Sequence, residues 1–145
     1  MVSAHPNFVA FDWNGTIVPF FGLPAFDGAA KAVEQLRANN IPVIVVSRAF
    51  SAEINADVKR CGIEFDGVYG CTSKMPILSD LRVQFGRGVY IGDLPSDHRD
   101  ALGADLDFIQ ALVDPNTMPI AGLEAVIRSY TELESVLLAI YGNRG

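Results

Sequence analysis

The chain has 145 residues, half of them hydrophobic and 19% charged, which suits one domain with one core and is too short to expect two. Its formal net charge of −6 argues against a general nucleic-acid binder, because such affinity comes mostly from clustered Lys and Arg. No apolar run reaches the roughly 20 residues of a membrane span, no signal peptide is seen, and Cys61 and Cys71 lack zinc-site spacing, so we expect a cytoplasmic protein that does not contact membranes.

Apolar runs typical of strands alternate with runs typical of helices, which predicts an α/β fold around a mostly parallel sheet. The predicted elements, in chain order, are a strand at 8–11, a helix at 29–38, a strand at 43–46, a helix at 52–61, a strand near 68–69, a helix at 77–85, a strand at 89–91, a short helix after Pro95, strands near 108–113 and 125–127, and a closing helix.

Several helix ends carry recognisable signals. Asp27 and Ser51 are residue types that cap helix N-termini, and Gly62 stands where the second helix would end. Thr131 to Glu134 reads T-x-x-E, which predicts a capping box before the closing helix.

Polar residues follow the predicted strands at their carboxyl ends. Asp12 follows FVAF, Ser47 follows VIVV, Asp93 follows VYIG, and Lys74 comes soon after the strand near residue 68. In an open parallel sheet these ends meet at one edge, where ligands bind. The sequence therefore predicts one polar site at that edge.

This arrangement resembles the haloacid dehalogenase (HAD) superfamily, whose members are mostly magnesium-dependent phosphatases and phosphotransferases. Four motifs appear in the family's order over nearly the whole chain: FDWNGT, VIVVS, Lys74 and GDLPSD. The resemblance implies a three-layer Rossmann-like fold, with helices on both faces of the sheet, and a phosphomonoesterase acting on a small phosphorylated substrate.

The resemblance also implies a role for each motif residue. Asp12 would be the nucleophile that forms an aspartyl-phosphate, which divides one difficult displacement into two easier steps. A phosphate dianion beside several carboxylates needs a cation, and Mg²⁺ would be held by Asp12, the backbone carbonyl of Asn14 and Asp93, with Asp97 acting through water. Ser47, Lys74 and backbone N–H groups around Trp13 and Asn14 would hold the phosphoryl oxygens.

Each of these residues also has an ordinary structural interpretation. Asp12 could form a turn, Asp93 and Asp97 could cap the helix at Pro95, and Ser47 could be a loop residue. Lys74 could be a surface lysine, yet it follows Thr72 and Ser73, both capping types, and so falls in a first helical turn, where a cation opposes the helix dipole. A residue that breaks this local rule favours a functional role.

Two departures from the family pattern affect the expected function. The intervals from Asp12 to Ser47 and from Ser47 to Lys74 are too short for a cap domain, which predicts an open site or one roofed by a partner subunit. Asn14 stands where family phosphatases usually carry the Asp that transfers protons, and an amide cannot do so. The alternatives are therefore a weakened phosphate-binding or regulatory protein and, less consistent with Lys74 and GDLPSD, a metal-free dehalogenase.

The stretch 17–26, IVPFFGLPAF, is unusually apolar for a loop. Its prolines and glycine prevent a long regular element, and it falls where the family places a mobile flap over the site. We expect Phe20, Phe21, Leu23 or Phe26 to shield the site or to contact another subunit, which is compatible with a homo-oligomer formed through this loop.

Overall fold

The computed structural model describes residues 5–142. Its strands are β1 Val9–Phe11, β2 Val43–Ser47, β3 Gly67–Gly70, β4 Val89–Gly92, β5 Asp107–Ala111 and β6 Val126–Ile127. Its helices are α1 Ala29–Ala38, α2 Ser51–Cys61, α3 Lys74–Phe85, α4 Pro95–Gly103 and α5 Leu133–Leu137; a 3-10 turn, Tyr130–Glu132, precedes α5 and a π-helical turn, Leu138–Gly142, follows it.

All six strands form one parallel sheet in the order β3-β2-β1-β4-β5-β6. Strand β1 is central, and Phe11 lies between Val45 of β2 and Ile91 of β4. The chain order therefore reverses around β1, and the loops after β1, β2 and β4 leave the sheet side by side. This is the geometry that brings polar residues from distant parts of the sequence to one edge.

The sheet is buried on both faces, as its apolar strands predict. Val9 and Phe11 point to the face covered by α1, α2 and α5, whereas Ala10 points to the face covered by α3 and α4. The α/β fold class predicted from the alternating runs is confirmed, with three layers and helices on both sides.

Some helix boundaries differ from those predicted. Helix α3 begins at Lys74 rather than at residue 77, because Pro76 lies in the first turn, where its missing N–H leaves no hydrogen bond unmade. The residue preceding α1 is Gly28, in a left-handed conformation with φ of 80°, and not Asp27. Helix α2 is preceded by Phe50 rather than Ser51, while Gly62 ends it as predicted.

The predicted capping box at the closing helix was displaced by two residues. The Ser129 hydroxyl accepts from the Thr131 N–H at 3.3 Å, and the Glu132 carboxylate accepts from the Ser129 N–H at 3.3 Å. Two overlapping S/T-x-x-E patterns occur here, and the earlier one is used; Tyr130, which lies inside it, is buried against the core.

The connections from β1 to α1 and from β3 to α3 contain no inserted domain, as their lengths predict. Among residues 5–142, no helix is both long enough and apolar enough to cross a bilayer.

Candidate functional site

A tight turn follows Asp12 at the end of β1. The Trp13 carbonyl accepts from the N–H groups of Thr16, Ile17 and Val18, at 3.1, 2.9 and 3.3 Å. Among residues 5–142, the N–H groups of Trp13 and Asn14 donate to no backbone carbonyl, which makes both of them candidate donors to a ligand.

Gly15 lets this turn approach Asp93. Its φ is 79°, and a Cβ at this position would collide with the Asp93 carboxylate. Only glycine combines that conformation with so close an approach. The glycine of the FDWNGT motif is therefore explained by the close contact between the loops after β1 and β4.

Lys74 is buried at the start of α3 and bridges two carboxylates. Its Nζ donates to Asp12 Oδ1 at 2.9 Å and to Asp97 Oδ1 at 2.7 Å. A buried ammonium is unfavourable without such partners. The pairing explains how a cation is tolerated at a helix N-terminus, and it excludes the surface-lysine interpretation.

Both carboxylate oxygens of Asp97 accept hydrogen bonds from the protein. Its Oδ2 accepts from the N–H groups of Asp93 and Leu94, at 3.2 and 3.1 Å, so it caps α4 as well as pairing with Lys74. Gly92 makes room for it, because a Cβ there would lie 2.6 Å from Asp97 Oδ2. Asp97 therefore caps α4, as one interpretation predicts, and it also lies in the polar cluster; its role at a metal ion stays a prediction.

Asp12, Asp93 and Asp97 each present an oxygen within 4.8 Å of the others. Burial and the charge of Asp12 raise the pKa of Asp93 to about 8. Burial also raises the pKa of Asp12, although Lys74 opposes this, and the two carboxylates raise the pKa of Lys74 despite its burial. With all three carboxyl groups ionised, the cluster would hold more negative charge than Lys74 alone neutralises.

Three buried polar atoms have no hydrogen-bond partner among the described residues: Asn14 Oδ1, Thr16 Oγ1 and Asp93 Oδ1. Unpaired buried oxygens are costly and require an explanation. Carboxylate oxygens at this spacing are among the donors that a hard divalent cation prefers. The residues present therefore fit a magnesium-type ion, with Asp93 better placed than Asp97 because its Oδ1 is free.

The remaining predicted residues lie around this cluster. Ser47 is the last residue of β2 and is buried at the same edge. Trp13 is fully buried, and its indole points away into α2, so only its backbone is suited to ligand contact. Within loop 17–26, Ile17 and Val18 belong to the core, whereas Phe20 is 60% exposed.

Arg48 and His98 lie next to the motif residues Ser47 and Asp97 in the sequence. Arg48 is half exposed and pairs with Asp100 at 3.2 Å. His98 stacks on Phe108 with ring centroids 5.0 Å apart. The contact of His98 with a core ring explains its presence without a ligand.

Sequence reasoning missed two buried polar residues that tie the surrounding loops together. Asp57 of α2 binds Trp13 and Gly22, and Gln110 of β5 binds the carbonyls of Asp93 and Met118. A signal existed for each: Asp57 lies three residues before Arg60 on one helix, and Gln110 interrupts an otherwise apolar strand.

Chain-wide likenesses to solved structures agree with this architecture. A HAD-superfamily hydrolase from Ehrlichia chaffeensis matches with a TM-score of 0.73 and 15% identity, over 94% of this chain and 98% of the other. D,D-heptose 1,7-bisphosphate phosphatase from B. bronchiseptica, solved with magnesium and phosphate, matches with a TM-score of 0.73 and 15% identity, over 92% and 98%.

A third likeness is to 3-deoxy-D-manno-octulosonate 8-phosphate phosphatase from Moraxella catarrhalis, solved with magnesium, phosphate and KDO. Its TM-score is 0.69 at 18% identity, over 97% of this chain and 90% of the other. No protein-family model and no curated protein matches the sequence. At these identities the likeness establishes a shared fold.

Proposed function

This chain has the fold of the haloacid dehalogenase superfamily, and on that premise we propose that it is a capless, Mg²⁺-dependent phosphomonoesterase that acts through an aspartyl-phosphate on Asp12. The observation that carries the proposal is the buried cluster in which Lys74 pairs with Asp12 while Asp93 Oδ1 stays free. Solved phosphatases of this fold with bound magnesium and phosphate support it.

The proposed chemistry uses groups from four strand ends. A carboxylate oxygen of Asp12 attacks phosphorus, and the bond from phosphorus to the ester oxygen breaks. Water then attacks the phosphorus of the acyl phosphate, which releases inorganic phosphate and restores the Asp12 carboxylate.

Positive charge and N–H donors stabilise the phosphoryl oxygens during both steps. Lys74 Nζ is already 2.9 Å from Asp12 Oδ1, and the N–H groups of Trp13 and Asn14 belong to the turn that directly follows Asp12. Ser47 supplies a hydroxyl at the neighbouring strand end. Mg²⁺ held by Asp12, Asp93 and the Asn14 carbonyl would offset the repulsion between substrate and carboxylates.

A second candidate is supported by Asn14. Its side chain cannot donate a proton to a leaving alkoxide and recover it from water, a contribution of about 10²- to 10⁴-fold where present. A phosphate-binding or regulatory protein with weak turnover would keep every other feature of the site. Tight, Mg²⁺-dependent binding of orthovanadate with negligible hydrolysis would favour this second function.

The missing cap leaves the substrate to be recognised by loops or by another subunit. We propose that the exposed Phe20 and Leu23 of loop 17–26 contact a small phosphorylated substrate or a second copy of the chain.

The test is phosphate release from a panel of aryl, acyl and alkyl phosphates, with Mg²⁺ and with chelator. We expect Mg²⁺-dependent release that is fastest with aryl or acyl phosphates and is abolished by Asp12→Asn. The matched control is Asp80→Asn, which changes an exposed carboxylate on α3 and should leave the rate unchanged. Absence of release from every ester at high enzyme concentration would contradict the proposal.

A further inference from the structure

A second polar cluster lies beside the site, on the face of the sheet covered by α2. Asp57 is buried there, and its two carboxylate oxygens bind different parts of one loop. Oδ2 accepts from the Trp13 indole Nε1 at 2.8 Å, and Oδ1 accepts from the Gly22 N–H at 3.0 Å. One carboxylate thus joins the start of the loop after β1 to its apolar middle.

Arg60 completes this cluster one helical turn later. Its Nε donates to Asp57 Oδ1 at 2.7 Å, and its Nη2 donates to Asp57 Oδ2 at 3.2 Å and to the Leu23 carbonyl at 2.7 Å. Asp57 therefore has four donors, and Arg60 fixes the residue that follows Gly22. We call Trp13, Gly22, Leu23, Asp57 and Arg60 the loop latch.

We propose that Asp57, with Arg60, is a positioning residue that holds the Asp12 loop in its reactive geometry through Trp13. This inference rests on the proposed function of Asp12. It assigns a catalytic contribution to a helix that carries none of the four motifs.

The connection to the reacting atoms is short. Trp13 directly follows Asp12, and its backbone N–H is one of the two candidate donors to a phosphoryl oxygen. An indole that cannot rotate fixes this peptide, because the side chain is fully buried and its Nε1 is bound. Helix α2, which carries Asp57 and Arg60, begins at Ser51, soon after Ser47 at the end of β2.

Packing alone does not explain a buried carboxylate at this point. An apolar residue would fill the space without the cost of burying a charge. Hydrogen bonds from Arg60, Trp13 and Gly22 outweigh burial and lower the pKa of Asp57, so it is ionised at neutral pH. A charged group that accepts from two loop donors gives the loop one orientation.

The experiment compares Asp57→Asn with Asp66→Asn. Asp66 is a matched control because its carboxylate likewise accepts from an arginine, Arg37, and from one backbone N–H, that of Val43, but at the opposite edge of the sheet. Asparagine at position 57 keeps one acceptor oxygen and replaces the other with an NH₂ group, which cannot accept from the loop donor that it faces, so one of the two bonds to Trp13 and Gly22 is lost.

We expect Asp57→Asn to lower kcat about 10- to 100-fold with a small change in KM, the size expected for displaced reacting groups. Trp13 is the chain's single tryptophan, so its emission should shift to longer wavelength and become more accessible to acrylamide. Asp66→Asn should change neither quantity, even if it lowers the unfolding temperature. Wild-type kcat and emission in Asp57→Asn, or equal losses in both variants, would overturn the proposal.

Arg60→Gln provides a second variant should Asp57→Asn fold poorly. This substitution removes the hydrogen bond to the Leu23 carbonyl and keeps Asp57 bound to Trp13 and Gly22, so we expect a smaller loss of kcat. An unchanged kcat together with an unchanged protease sensitivity of loop 17–26 would count against the latch. If the wild type hydrolyses no ester, the proposed function fails separately. Trp13 emission and the affinity for orthovanadate with Mg²⁺ then decide the latch.

Discussion

At the residue scale, the site depends on one buried ammonium among carboxylates. Lys74 pairs with Asp12 and Asp97, and the free Oδ1 of Asp93 is left for a further cation. The first turn of a helix disfavours a cation through the helix dipole. Two ion pairs at 2.9 and 2.7 Å offset this, so the position is held by the site and not by helix propensity.

Replacing Lys74 by Met should destabilise the metal-free protein by about 3–5 kcal/mol, because buried carboxylates lose their counter-charge. Mg²⁺ should recover part of this loss by supplying positive charge to the same oxygens. Urea unfolding with and without Mg²⁺ measures both effects, with the exposed Lys59→Met as control. Equal stability of Lys74→Met and the wild type would show that the ion pairs contribute nothing.

Asn14→Asp restores the group that family phosphatases use for proton transfer. We expect hydrolysis of a simple alkyl phosphate to rise by up to about 10²- to 10⁴-fold, since alkoxide leaving groups need a proton. Aryl phosphates, whose leaving groups need none, should gain much less. Steady-state rates for both esters test this, with Asn40→Asp as control; an unchanged or lower alkyl rate in a folded variant would refute it.

At the element scale, loops that leave adjacent strands are held by buried polar side chains from outside the motifs. Gln110 of β5 is fully buried, and its amide is saturated: Nε2 donates to the carbonyls of Asp93 and Met118 at 3.0 and 2.9 Å, and Oε1 accepts from the Ile120 N–H at 2.9 Å. It therefore holds the backbone carbonyl of Asp93, whereas Asp57 holds the indole of Trp13.

Gln110→Glu keeps the shape of this side chain but turns a double donor into an acceptor. Its carboxylate would face two carbonyl oxygens, which should cost about 1–3 kcal/mol of stability and loosen the loop at Asp93. We expect weaker Mg²⁺ binding in a calorimetric titration. Gln84→Glu, at an exposed position on α3, should bind Mg²⁺ as the wild type does; equal affinities for all three proteins would argue against the role of Gln110.

At the scale of the whole molecule, the parallel order around β1 gathers more negative charge at one edge than the fold itself can neutralise. An aspartate whose pKa is raised by folding binds its proton more tightly in the folded state than in the unfolded chain. Stability of the metal-free protein should therefore fall as the pH rises from the unfolded value near 3.8 toward the folded value of about 8 for Asp93.

Asp93→Asn removes this charge and should stabilise the metal-free protein at pH 8 by about 1–2 kcal/mol, since solvent screens part of the repulsion. The gain should vanish at about pH 3 and below, where the wild-type carboxyl is protonated in both the folded and the unfolded state. Unfolding midpoints between about pH 3 and pH 8 measure it, with Asp80→Asn as control. Mg²⁺ should raise the midpoint of the wild type at pH 8 and not that of Asp93→Asn.

The sequence by itself determined the fold class, the order of most elements and the residues that face one sheet edge. The alternation of apolar strand and helix patterns is visible locally in the sequence. Because parallel strands need crossover connections, usually helices, this alternation favours an α/β fold with a parallel sheet over the other fold classes. The sequence predicted four site residues because each lies at the end of a strand or at the start of a helix: Asp12, Ser47, Lys74 and Asp93.

Only the tertiary structure decided which side chains meet. The sequence does not distinguish an Asp97 that caps α4 from an Asp97 that pairs with Lys74, because both interactions require an aspartate at this position. Asp57 and Gln110 hold loops through bonds to backbone groups, at Gly22 for Asp57 and at Asp93, Met118 and Ile120 for Gln110, and backbone groups carry no residue-type signal. Long-range hydrogen bonds of this kind arise only when the sheet order is known.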